Sequence, residues 1–182
     1  MPDFPAHPTP LWVFAYGSLM WNPGFEFVEK RPARLFGYHR ALCIYSHVHR
    51  GTKERPGLVL GLDRGGSCKG VAYLIDPNNS DATLNYLRAR ELVTNVYHEA
   101  SLELRFDSGA HIRAVTYIVD KKHVQYTGRL PLERQLELIR QGNGQSGPNR
   151  DYLIATARHL NDLNIHDPKL NWLESQLQNH SP

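Results

Sequence analysis

The chain is poor in cysteine: Cys43 and Cys68 are the only two in 182 residues, and they form no C-x-x-C pair. That excludes a disulfide framework, a zinc ribbon and a thioredoxin-like redox motif, and leaves two reduced thiols as the expectation. No apolar run reaches the ~18 residues that a membrane-crossing helix needs, so no membrane partner is expected. Met1 to Pro10 has neither a basic cluster nor an apolar stretch, which argues against a secretory signal and makes the cytoplasm the default compartment. Charge of one sign is also scarce: 21 Lys and Arg against 18 Asp and Glu leave a net +3. The basic block Lys121-Lys122-His123 is shorter than the about five to eight residues of a nucleic-acid patch, so no nucleic acid is expected. There are ten histidines but no H-E-x-x-H, and the pair His47-x-His49 has no third ligand placed by spacing. No metal is expected.

What remains is a foldable chain, 41% apolar and 21% charged. At this length roughly 70% of the unfolded surface can be buried, so a core forms without a staple. Residues 1–10 carry four prolines and read as a flexible leader; 11–182 read as a single domain. Leu11 to Ala15 is a continuous apolar run that fits a buried strand. Arg34 to Tyr45 reads as one strand, bent at Gly37. Leu58 to Leu62 and Lys69 to Ile75 read as two strands joined in hairpin style across Gly65-Gly66. Asp76 to Ser80 is a breaker cluster offering Asn79 or Ser80 as the cap of a helix from Asp81 to about Val93. Val96 to Phe106 and Ile112 to Val119 form a plausible hairpin. Pro131 opens a helix through Arg140, Asn149 caps another to about Leu163, and Leu170 to Gln178 forms a last one. Strands dominate the first part and helices the second, which indicates an α+β fold. So many strands in so short a span favour a curled sheet or small barrel that hides its edges.

Gly142-x-Gly144-x-x-Gly147 matches the dinucleotide fingerprint in letters. The fingerprint requires a preceding strand, but Leu132, Leu136 and Ile139 recur at helical spacing just before it. The segment therefore reads as a glycine-rich connector between helices, and no nucleotide cofactor is expected. Tyr16-Gly17-Ser18-Leu19 follows the first strand directly. A glycine and a small hydroxyl residue there let the chain turn with its amides outward, a nest for a carboxylate or oxyanion. Ser18 lacks the G-x-S-x-G elbow and has no identifiable base, which argues against a nucleophile.

Glu91 is the candidate acid or base. Leu84, Leu87 and Glu91 share one face of the first helix. If that face is buried, the carboxyl has a raised pKa and is poised for proton transfer. Ala82, Tyr86, Ala89 and Val93 make a second apolar stripe opposite; if that one is buried instead, Glu91 is a solvated surface carboxylate. Pattern alone does not choose between them. Tyr152, in the first turn after the glycine loop, fits core packing, with a hydroxyl near that loop.

Five segments together resemble the ChaC-like glutathione-specific γ-glutamylcyclotransferases. Phe14 to Phe25 (FAYGSLMWNPGF) resembles the opening strand and substrate loop, and His49 to Gly57 (HRGTKERPG) the "HRG…PG" loop. Gly70 to Tyr73 is similar to the strand that follows, Arg90 to Tyr97 (RELVTNVY) to the segment with the catalytic glutamate, and Gly144 to Leu153 to the late glycine loop and helix. The matches keep the family's order. Leu92 to Val96 looks like the bacterial branch, and Ala15 stands where glycine is often found. The resemblance implies a small mixed β-barrel with flanking helices, and conversion of glutathione to 5-oxoproline and cysteinylglycine without a cofactor. It implies Glu91 as the catalytic residue, and Tyr16, Gly17, Ser18, Leu19, Arg50 and Tyr152 as substrate-binding residues. It leaves the oligomeric state open. A cyclotransferase for other γ-glutamyl amines, and a non-catalytic ligand-binding or cation-transport regulatory protein, are the alternatives.

Overall fold

The computed structural model describes residues 10–179, so the leader expected over 1–10 lies almost wholly outside the described residues. Five strands close into a barrel in the order β1-β3-β2-β4-β5. They are β1 (Leu11–Ala15), β2 (Glu29–Ser46), β3 (Gly57–Ile75), β4 (Tyr97–Phe106) and β5 (His111–Val119). The neighbours are antiparallel except where β1 meets β5 in parallel at Val13 and Val115, the seam that closes the barrel and makes it mixed. Closure removes the exposed edges that short strands otherwise present.

The Gly65-Gly66 pair does not turn a hairpin. It lies inside the single 19-residue strand β3. The register with β2 slips between Phe36 and Tyr38, where Gly37 opposes both glycines, and all three have positive φ (83°, 99° and 68°). Residues without a Cβ adopt that conformation freely, so both strands bend together and stay paired.

Helix α1 (Ser80–Glu91) links β3 to β4. Helices α2 (Leu132–Gln141), α3 (Asn149–Asp162) and α4 (Pro168–Gln178) follow the barrel. One apolar cluster draws on all five strands and no helix, with Phe14, Leu35, Leu62 and Leu104 at 1% exposure or less. A second joins the strands to all four helices through Val13, Leu87, Leu138, Leu153 and Leu173. Alternate residues of β1 divide between the two, as the two-residue period of a strand requires.

The glycine loop does connect two helices, and it folds as a tiny hairpin, β6 (Asn143–Gly144) with β7 (Gly147–Pro148). Its glycines serve close packing. A Cβ on Gly144 would stand 2.3 Å from the Val48 carbonyl oxygen, and one on Gly142 would stand 2.5 Å from that of Arg50. Asn149 does not cap α3. Its side chain is fully buried and pairs with Leu58 like a strand residue, Oδ1 accepting from the amide at 2.7 Å and Nδ2 donating to the carbonyl at 2.9 Å. The start of α3 is thereby fixed to the start of β3.

Candidate active site

A cavity of about 70 Å³ opens at one end of the barrel, and six elements contribute to it. Tyr16, Gly17, Ser18 and Leu19 enter from the end of β1, Glu91 from the last turn of α1, and Tyr97 from the start of β4. Tyr117 comes from β5 and Tyr152 from α3, while Leu60 of β3 forms a wall. A wider groove of about 880 Å³ adjoins it and shares Ser18, Glu91, Tyr97 and Tyr152.

Helix α1 buries the stripe that carries Glu91. Leu87 is 0% exposed, whereas Ala82, Tyr86 and Ala89 on the opposite stripe are exposed; the helix ends at Glu91 rather than near Val93, which lies beyond it and is 72% exposed. Arg88 anchors the helix to the barrel by two 2.8 Å bonds to Glu99, whose carboxylate also accepts from the Tyr117 hydroxyl at 3.1 Å. The Glu91 side chain is 18% exposed, and burial pushes its carboxyl above the usual glutamate value. Arg90 works against that rise, its Nε lying 3.4 Å from Glu91 Oε1. A carboxyl so placed is a proton acceptor of useful strength near neutrality.

Three phenols besides Tyr117 surround it. Burial holds Tyr16 and Tyr97 well above their ordinary pKa and pushes Tyr152 up to about 12, so all three stay protonated at neutral pH. Tyr97 Oη donates to the Leu60 carbonyl at 2.8 Å. Tyr152 Oη accepts from the Leu60 amide at 3.1 Å, which leaves its own proton available to a ligand.

After Tyr16 the chain makes one 3₁₀ turn, Ser18–Met20. Gly17, Ser18 and Leu19 line the cavity, and the leading amides of such a turn find no partner within it. The Leu19 side chain is 7% exposed and packs in the core, so only its backbone is offered. Ser18 Oγ accepts from Arg90 Nη2 at 2.9 Å, a contact that no base shares.

The structure thus gathers Glu91, Tyr16, Gly17, Ser18, Leu19 and Tyr152 around one cavity. Arg50 stands apart from it. It lines the groove, and its Nη1 donates to the carbonyls of Ser146 at 2.6 Å and Pro148 at 3.2 Å while the guanidinium covers the Tyr152 ring. Sequence reasoning missed Tyr97, Tyr117 and the contacts of Arg90. Strand pairing brings both tyrosines in, and no local spacing announces it. Among the described residues no three His, Cys, Asp or Glu side chains cluster as metal ligands, and no helix is long and apolar enough to cross a membrane.

Residues 11–180 match the family described as ChaC-like protein. The chain is 36% identical over 162 residues to a glutathione-specific γ-glutamylcyclotransferase of Escherichia coli strain K12, covering 89% of this chain and 70% of that one. It is 36% identical over 179 residues to γ-glutamylcyclotransferase 2-3 of Arabidopsis thaliana, covering 92% and 88%. Against glutathione-specific γ-glutamylcyclotransferase 1 of Homo sapiens the identity is 32% over 154 residues, covering 82% and 69%. The fold superposes with a TM-score of 0.84 on the crystal structure of the yeast γ-glutamyl cyclotransferase specific to glutathione, at 22% identity and covering 94% and 96%. On these matches, the chain belongs to the ChaC-like family.

Proposed function

We propose that this protein is a γ-glutamylcyclotransferase that cleaves glutathione to 5-oxoproline and cysteinylglycine, with Glu91 as general base and acid. The observation that carries the reading is Glu91 itself. It is a largely buried carboxyl, raised by desolvation, that shares a small cavity with the turn after β1. A binding module has no use for so costly a group. The names of the curated relatives supply the substrate class.

The chemistry needs little else. The α-amine of the γ-glutamyl arm attacks its own γ-carbonyl carbon, a C–N bond forms, and the γ-carbon to cysteine nitrogen bond breaks. Glu91 as carboxylate takes the proton that the amine loses and returns it to the leaving nitrogen, so atoms and charge balance without water or a nucleophile. The Gly17 to Leu19 turn anchors the γ-glutamyl arm and coils it. Fixing a chain that closes on itself is worth several kcal/mol. The Tyr152 hydroxyl supplies a donor to the same arm. The 70 Å³ cavity accommodates only the reacting end of a tripeptide, so the cysteinylglycine half extends into the wider groove. No metal or nucleotide takes part in this scheme. Cys43 and Cys68, both free and buried, fit a reducing cytoplasmic setting.

Incubation with glutathione and detection of 5-oxoproline and cysteinylglycine tests the reading. The α-glutamyl isomer should be left intact, because its amine cannot close onto the scissile carbonyl in the same way. Turnover of other γ-glutamyl amines but not glutathione would reassign the substrate. Turnover of none, with glutathione bound, would make the protein a binding module.

A further inference from the structure

We propose that Arg90 is a positioning residue: its single guanidinium holds the turn after β1 and the carboxylate of Glu91 in one fixed geometry. The inference rests on the catalytic reading of Glu91.

The contacts of this side chain are divided between the two halves of the site. Nη2 donates to Ser18 Oγ at 2.9 Å. Nη1 donates to the Asn22 carbonyl at 3.0 Å and to the Tyr86 hydroxyl at 3.1 Å. Nε faces Glu91 Oε1 at 3.4 Å. Ser18 and Asn22 are themselves joined, since the Asn22 amide donates to the Ser18 carbonyl at 2.8 Å. The guanidinium therefore grips both ends of the segment that lines the cavity through Ser18 and Leu19. Tyr86 lies one helical turn before Arg90 on α1, so its hydroxyl steadies the fork from the helix side. The side chain is 25% exposed, so these bonds are partly sheltered from water and a planar five-donor group is suited to them.

Among the described residues no other cation shares the task. Arg88 is engaged with Glu99, and Arg50 with the β6–β7 hairpin. The titratable groups that face Glu91 from the remaining elements are phenols: Tyr16 at the end of β1, Tyr97 on β4, Tyr117 on β5 and Tyr152 on α3. All are neutral in the physiological range. Arg90 is the positive charge that opposes desolvation of Glu91.

Two replacements separate geometry from charge. Arg90→Lys keeps the charge but offers a point ammonium, which does not span Ser18, Asn22 and Tyr86 together. Its KM for glutathione should rise about tenfold, the scale of a lost charged hydrogen bond, while the acidic limb of kcat/KM stays in place. Arg90→Gln should show the same rise in KM and also move that limb to higher pH, because Glu91 loses its only opposing cation among the described residues. Two readouts need no turnover: amide hydrogen exchange at residues 17–20, which should quicken in both variants, and NMR titration of the Glu91 carboxyl, which should shift upward in Arg90→Gln alone. Unchanged KM and unchanged exchange in both variants would overturn the proposal. So would a Glu91 titration that Arg90→Gln leaves in place. If the wild type fails to turn over glutathione, the catalytic reading falls, and exchange and NMR still decide whether Arg90 holds the turn and the carboxylate. Should Arg90→Gln fail to fold, the KM and exchange of Arg90→Lys decide.

Discussion

Tyr97 and Tyr152 bond the two polar groups of one residue: Tyr97 gives its proton to the Leu60 carbonyl, and Tyr152 receives the proton of the Leu60 amide. The two phenols are alike in burial but differ in what they have left to offer a ligand. Tyr152 keeps a donor, and Tyr97 keeps only lone pairs. Leu60 is 4% exposed, so either truncation strands a buried backbone group. Tyr97→Phe and Tyr152→Phe should each lower stability by roughly 1–3 kcal/mol. Only Tyr152→Phe should also lower kcat/KM sharply, by about 10- to 100-fold, the scale of a donor lost to a charged group. Thermal melting and steady-state kinetics on the pair check this. Equal kinetic losses would show that the free proton of Tyr152 has no special role.

The glycines of the two loops should behave in opposite ways. A Cβ at Gly144 meets the Val48 carbonyl at 2.3 Å and the Gly51 amide at 2.7 Å, both backbone atoms. Gly144→Ala should therefore lose roughly 1–3 kcal/mol as the hairpin is forced away from the loop at 48–51. A Cβ at Gly17 meets only Leu60 Cδ1, at an ordinary 3.7 Å. Gly17→Ala should melt like the wild type, yet raise KM for glutathione because the added methyl stands where the ligand approaches the turn. A melting temperature depressed in Gly17→Ala, or unaffected in Gly144→Ala, contradicts the assignment.

Much of this was legible before the structure. The run Leu11 to Ala15, the hairpin from β4 to β5 and the helix in front of the glycine loop all followed from periodicity and neighbouring context. The shape of the β2–β3 ribbon did not. A pair of left-handed glycines serves a hairpin turn and a bulge equally well, and only the 18-residue partner strand β2 decides that β3 runs on past them. The role of Asn149 was hidden for a similar reason, since an amide before a helix caps it in most settings, and here Leu58 claims it first. Glu91 was visible as a candidate, but the two stripes of α1 were equally apolar on paper. The choice came from Leu87 and from the clamp of Arg88 on Glu99, both tertiary contacts.

The raised pKa of Glu91 has a consequence for folding. Below its ordinary value of about 4.5, folded and unfolded chains both hold the proton, and the group contributes no difference. As the pH climbs through that value the unfolded chain ionises first, so the folded state loses stability until the pH passes the higher folded-state value. Glutamine does not titrate. The melting temperature of Glu91→Gln should therefore match the wild type at low pH, rise above it as the pH passes that ordinary value, and keep a constant lead once the folded-state carboxyl has ionised. Parallel melting curves across that range would show that Glu91 is not desolvated.

The most direct test of the account is the turnover of Glu91→Gln on glutathione, measured beside ligand affinity and melting. The variant keeps the shape of the side chain and removes the proton shuttle. In the proposed mechanism one group serves both proton transfers, so kcat should fall by at least the ~10²–10⁴-fold typical of general acid–base catalysis, while glutathione still binds through the turn after β1 and the protein stays folded. A folded variant that retains more than about a tenth of wild-type kcat, a loss far below that expected of an acid–base group, would show that Glu91 is not the catalytic base.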